Sequence, residues 1–157
     1  MREEQPPLYS KDGEKCQCYG YLCREKQVSF FMKPISTKQA PAAIGPYSQA
    51  IEHGGLVFVS GQLPIDPSTG NFPEGGISEQ TRQSLTNIRA ILEEAGSSMD
   101  QVLKTTVFLA DMGDFAKMNA VYSEFFSAPF PARCAVAVKT LPKDALVEIE
   151  CIAAVVK

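Results

Sequence analysis

The chain has 157 residues, a length that suits one domain of ordinary size. With 45% hydrophobic and 21% charged residues it is neither disordered nor collagen-like, and its core needs no disulfide or metal staple. A net charge of −3 with no basic run argues against a nucleic-acid binder, and no apolar stretch nears the roughly 18 residues of a membrane span.

Residues 1–31 carry five basic and five acidic side chains and show neither a strand nor a helix period. They read as a disordered or non-native N-terminal extension, with Met32 the working start and residues 32–157 the folded domain. Cys16, Cys18 and Cys23 fall in this extension without a histidine or a fourth cysteine, short of the four ligands of a closed zinc site. With Cys134 and Cys151 the total is odd, and no apolar leader region precedes it, so a reducing, cytoplasmic setting is expected.

Met32-Lys33-Pro34-Ile35-Ser36 has a strand-like start. Residues 49–52 and 56–61 flank Gly54-Gly55 and predict a hairpin. Residues 63–76, rich in proline and glycine, predict a loop with turn chemistry at Asp66-Pro67-Ser68-Thr69-Gly70. A helix is predicted from Ser78 to about Ala95, with Leu85, Ile88, Ile91, Leu92 and Ala95 in one stripe and Gly96 as its stop. A buried strand over 102–109 follows, then a helix over 111–126 with Phe115, Met118, Tyr122, Phe125 and Phe126 at helical spacing. Two strands, 133–138 and 146–156, close the domain across the Leu141-Pro142-Lys143-Asp144 turn. The order β-β-α-β-α-β-β predicts an α+β sheet with two helices on one face. The last strand is largely apolar on both sides, which two helices cannot cover together, so a homo-oligomer with sites between subunits is expected.

The inventory of reactive groups is narrow. His53, the single histidine, lies beside Gly54-Gly55 and reads as a turn residue, which leaves little for a catalytic triad. No phosphate-cradling glycine motif occurs. Arg82 and Arg89 lie seven apart on the first helix, with Glu79 and Glu93 spaced for ordinary surface ion pairs. Arg133 differs. It opens an apolar strand, and Glu124 is the one acidic residue within ten positions of it. Its planar fork suits either a carboxylate of the last strand or the carboxylate of a ligand. Glu148 and Glu150 share a strand face about 7 Å apart, where burial raises a carboxyl toward neutral acid–base work unless it is paired. Tyr47, after the rigid Gly45-Pro46 bend, is either a core tyrosine or a hydroxyl offered to a site.

The runs Ala43-Ile44-Gly45-Pro46-Tyr47-Ser48-Gln49-Ala50, Val59-Ser60-Gly61-Gln62-Leu63-Pro64 and Thr105-Thr106-Val107-Phe108-Leu109 stand in the order in which the RidA (YjgF) family has them. So do Asn119-Ala120-Val121-Tyr122-Ser123-Glu124-Phe125-Phe126, Phe130-Pro131-Ala132-Arg133 and Val147-Glu148-Ile149-Glu150. Over residues 33–157 the chain therefore resembles that family. The resemblance implies a chorismate-mutase-like α+β fold and a homotrimer with inter-subunit clefts. It also implies hydrolysis of 2-imino acids and their enamine tautomers, such as 2-iminobutanoate and 2-iminopropanoate, to 2-oxo acids and ammonia. These intermediates are released by pyridoxal-phosphate dehydratases acting on serine and threonine. Carried over by position, Arg133 holds the substrate carboxylate, Tyr47 and Asn119 line the pocket, Ser60 and Gly61 form its floor, and Glu148 places or activates water. The family's Arg-Ser-Cys-type run reads Arg133-Cys134-Ala135 here, so the thiol two residues after the arginine is missing. An iminium carbon is already electrophilic, so binding and acid–base help suffice and no cofactor, metal, nucleic acid or membrane is expected. The alternatives are a non-catalytic trimer that binds small carboxylates as a regulatory module, and an RNA-directed translation inhibitor.

Overall fold

A computed structural model describes residues 31–155. The expected N-terminal extension, with Cys16, Cys18 and Cys23, lies outside the described residues except for Phe31, as does Val156 of the strand predicted over 146–156. The elements are β1 (Lys33–Ile35), β2 (Ala50–His53), β3 (Leu56–Gln62), α1 (Ile77–Glu94), β4 (Val102–Leu109), α2 (Phe115–Phe125), β5 (Ala132–Ala137) and β6 (Val147–Ala154). They form one six-stranded sheet in the order β1-β2-β3-β6-β4-β5 with two helices.

Local chemistry explains most boundaries. Gly54 and Gly55 both take positive φ, +61° and +80°, which a tight hairpin turn requires at its two central positions. His53 ends β2 there, exposed and paired with Leu56. Helix α1 starts one residue earlier than predicted and is capped by Glu79, whose Oε2 accepts from the Gly76 N–H at 2.9 Å. Gly96, at φ +74°, ends it, and the Ser97 N–H returns to the Leu92 carbonyl. Helix α2 starts later than predicted. Asp111 Oδ1 accepts from the Gly113 N–H at 2.8 Å and caps a short 3-10 turn, so the α-helix proper begins at Phe115. The strand-like start at residue 33 is a true edge strand, antiparallel to β2, and adds a sixth strand to the five predicted.

Neighbouring strands run antiparallel except β4 and β5. A parallel pair cannot be joined by a hairpin, and α2 is the crossover that connects them. Both helices cover the same face. Val57 and Val59 of β3, Val107 and Leu109 of β4, and Val147, Ile149, Cys151 and Ala153 of β6 are buried there with Leu85, Ile88, Ile91 and Leu92 of α1. Each of those four α1 side chains contributes about 1.5–3 kcal/mol on burial, so the stripe, not surface charge, docks the helix.

The predicted ion pairs within α1 are not the ones that form. Glu79 is used as the cap, and Arg82 crosses to Glu124 of α2, with Nη2 donating to Oε1 at 2.9 Å. Arg89 lies 5.7 Å over the ring of Phe125. In both cases the partner lies on the other helix rather than within α1.

Within one chain β6 is buried on one side only, as two helices on a single face require. Phe58, Thr106, Phe108, Cys134, Val136, Glu148, Glu150, Ile152 and Ala154 belong to the face away from the helices, and none is fully buried. Phe58 and Val136 remain 43% and 41% exposed, so this apolar face is left open by the described residues. Among the described residues no helix is long and apolar enough to cross a membrane.

Candidate active site

The expected site residues fall into two groups. The first is built on a bulge. Val59 pairs with Cys151 and Gln62 with Ile149, so Ser60 and Gly61 together oppose Glu150 alone. The extra residue brings the Gly61 backbone against Glu148. A Cβ placed on Gly61 would overlap Glu148 Oε1 and stand 2.9 Å from its Cδ, so glycine is what lets the carboxyl lie there. Ser60 Oγ donates to the Ser48 carbonyl at 2.7 Å, and the Ser60 N–H donates to the Gln49 carbonyl at 3.0 Å. These bonds tie the Tyr47-Ser48 backbone to the bulge. Tyr47 itself is half exposed, in a turn where its N–H meets the Gly45 carbonyl at 2.8 Å.

Glu148 is half-buried and has no hydrogen-bond or ion-pair partner among the described residues. Burial pushes its carboxyl above the ordinary range, and the neighbouring Glu150 charge pushes it further the same way. That is the electrostatic setting of a proton acceptor for water. Cys151, three residues further along the strand, faces the core, where burial lifts its thiol to about 12 and leaves it inert.

The second group sits at the other edge. Arg133 Nη1 donates to Asn119 Oδ1 at 2.8 Å. The guanidinium lies 4.5 Å from the ring of Tyr122 and 5.5 Å from that of Phe115. Arg133 forms no ion pair with any described residue, so it is not the partner of a β6 carboxylate within the chain. Four of its five N–H donors are unused among the described residues.

One chain does not unite the groups. Arg133 pairs with Thr105, which is buried on the helix face, whereas Glu148 pairs with Phe108 on the open face. The two positions are three residues apart along β4, about 10 Å, and on opposite faces of the sheet. A cavity of about 320 Å³ at the start of β4, lined by Met99, Asp100, Phe126, Ser127 and Pro131, holds none of the expected residues.

Sequence reasoning missed Gln49, which is buried and joins four backbone groups. Its Oε1 accepts from the Thr37 N–H at 2.7 Å, and its Nε2 donates to the carbonyls of Thr37, Ala40 and Pro41 at 3.1, 3.3 and 2.7 Å. The segment leading to Tyr47 is thereby fixed. Sequence reasoning gave Phe115 and Tyr122 a helical spacing but no part in the site, although their spacing of four and three from Asn119 places all three on one helix face.

The fold and these groups define an α+β protein with a guanidinium and an elevated carboxyl presented by separate surfaces. The family described as Endoribonuclease L-PSP matches residues 37–155. A RutC family protein of Pyrococcus abyssi is 59% identical over 119 residues, covering 76% of this chain and 94% of its own. A protein of Escherichia coli K12 named 2-iminobutanoate/2-iminopropanoate deaminase is 50% identical over 124 residues, covering 77% and 96%. The crystal structure of E. coli TdcF with bound serine superposes with a TM-score of 0.75 at 47% identity, covering 78% of this chain and 98% of that one. The chain belongs to this family, the RidA family, as its motifs imply.

Proposed function

We propose that the protein is a 2-imino acid deaminase that works in the cytoplasm as a homotrimer of chorismate-mutase-like subunits, with each site shared by two of them. The observation that carries this reading is the Arg133 guanidinium, held by Asn119 yet free of any carboxylate among the described residues. A ligand carboxylate fits the unused fork. The uncovered apolar face, bearing Glu148, supports a second copy that brings its bulge group to the first copy's arginine. The E. coli relative named for this deamination supports the chemistry.

In the proposed reaction, Arg133 and Asn119 hold the substrate carboxylate, and Tyr47, Ser60 and Gly61 shape the pocket around the carbon chain. Water attacks the iminium carbon while Glu148 accepts its proton. The carbinolamine then receives that proton on nitrogen, its hydroxyl gives its own proton to Glu148, and as the C–N bond breaks ammonia leaves and the carbonyl of the 2-oxo acid forms. No electron acceptor is involved, since the carbon keeps its oxidation level. Holding the electrophile and water together supplies most of the effect.

The test is to generate 2-iminobutanoate or 2-iminopropanoate with a dehydratase or an amino-acid oxidase and to follow imine decay with this protein present. Faster decay with matching 2-oxo acid and ammonia supports the reading. Decay at the uncatalysed rate, with 2-oxobutanoate still bound, would make the protein a carboxylate-binding module instead. An RNA-directed role is disfavoured by the net charge of −3, and incubation with single-stranded RNA checks it directly.

A further inference from the structure

We propose that Tyr122 and Phe115 are positioning residues for substrate: they form an aromatic cage that sets the plane of the Arg133 guanidinium. The inference rests on the reading of Arg133 as the carboxylate clamp and extends it to residues with no role assigned so far. Phe115, Asn119 and Tyr122 follow one another at four and three residues along α2, and all three meet the same guanidinium. Ring centroids 4.5 and 5.5 Å from the guanidinium carbon are within the roughly 6 Å reach of a cation–π contact. An exposed arginine would otherwise spread over many rotamers and meet a carboxylate in plane only part of the time.

The cage is itself held. The Tyr122 hydroxyl and Thr105 Oγ1 lie 2.8 Å apart in the interior, and the Tyr122 ring packs on Phe126 with centroids 4.4 Å apart. Thr105 is the β4 residue paired with Arg133 itself. The helix that cages the arginine is thus tied by a buried bond to β4, the strand beside the one that carries it. With the guanidinium bounded by rings and one edge N–H given to Asn119, the remaining edge stays open to a two-oxygen ligand. A group that only fixes the carboxylate acts alike in the ground and transition states, so its loss is felt in KM more than in kcat.

The experiment measures kcat and KM for 2-iminobutanoate, and the affinity for 2-oxobutanoate, in the intact assembly. Tyr122→Leu is expected to raise KM and weaken 2-oxobutanoate about five- to thirtyfold while kcat stays within about twofold. Tyr122→Phe keeps the ring and is expected to restore most of the affinity. Phe115→Leu, at a half-buried position, gives the same KM effect in smaller measure and carries the test if Tyr122→Leu does not fold. In an Arg133→Ala background, neither leucine variant is expected to lower kcat/KM further. If Arg133→Ala cripples carboxylate binding but Tyr122→Leu and Phe115→Leu do not, the cage is overturned and the clamp stands. If Arg133→Ala itself leaves 2-oxobutanoate affinity unchanged, the clamp reading fails and the cage with it. Equal further losses in the Arg133→Ala background would mark both residues as core packing and also overturn the inference.

Discussion

Gly61→Ala isolates the contact between the β3 bulge and Glu148. Gly61 does not occupy the left-handed region, so alanine meets no backbone objection there, and the effect is confined to space. The new Cβ would overlap Glu148 Oε1 and stand 2.9 Å from Cδ and 3.2 Å from Cγ, against an ordinary contact of 3.4–4 Å. The carboxyl must therefore swing away by roughly an ångström, which a flexible, half-buried side chain can do without unfolding its strand. A misplacement of that size costs a reaction about 100-fold, or about 2.7 kcal/mol of barrier. The expected outcome is a Tm close to that of the parent and a kcat near one-hundredth of it on 2-iminobutanoate generated in situ. In a Glu148→Ala background the methyl group has nothing to displace, so Gly61→Ala is expected to add no further loss. A rate within twofold of the parent, or an equal loss in both backgrounds, would refute the link between this glycine and the carboxyl.

Arg133→Lys is expected to lower kcat/KM nearly as far as Arg133→Ala, because an ammonium keeps the charge but loses both the fork and the stacking face; steady-state kinetics of the two variants decide it. Because the Glu148 carboxyl titrates above its ordinary range, turnover is expected to fall on the acid side at a pH higher than a free glutamate would give, and Glu148→Gln abolishes that limb. A carboxyl whose folded pKa is raised favours the folded state below the unfolded value and forfeits that contribution as pH rises through the folded one. Glu148→Gln should therefore raise Tm near neutrality and lose this advantage in acid, as thermal melts across pH would read. Phe58→Glu places a charge on the open face, where one chain alone would tolerate it; sedimentation should show the proposed trimer dissociating while circular dichroism stays that of the parent.

Much of the fold was legible because it rests on local rules. The Gly54-Gly55 turn, the apolar stripe of α1 and the β-branched run of β4 each encode their own conformation within a few residues. The α+β class followed from their order. What needed the tertiary structure was every choice between competing partners. Arg82 had Glu79 three residues away and took Glu124 across the helix pair, because Glu79 was committed to the helix N-terminus. Asp111 had helix-forming neighbours and capped a 3-10 turn instead. For the site, the residue types at Arg133 and Glu148 pointed to carboxylate binding and acid–base work, Tyr47 stood out after its rigid bend, and motif order supplied Asn119, Ser60 and Gly61. Sequence spacing could not show that the bulge turns Gly61 toward Glu148, nor that two aromatic residues of α2 bracket the arginine. Nor could it show that strand register sets Arg133 and Glu148 on opposite faces of one sheet. Periodicity tells which residues share a side within a strand, but it takes the pairing of β6 with β4 and of β4 with β5 to relate the side of one strand to that of another.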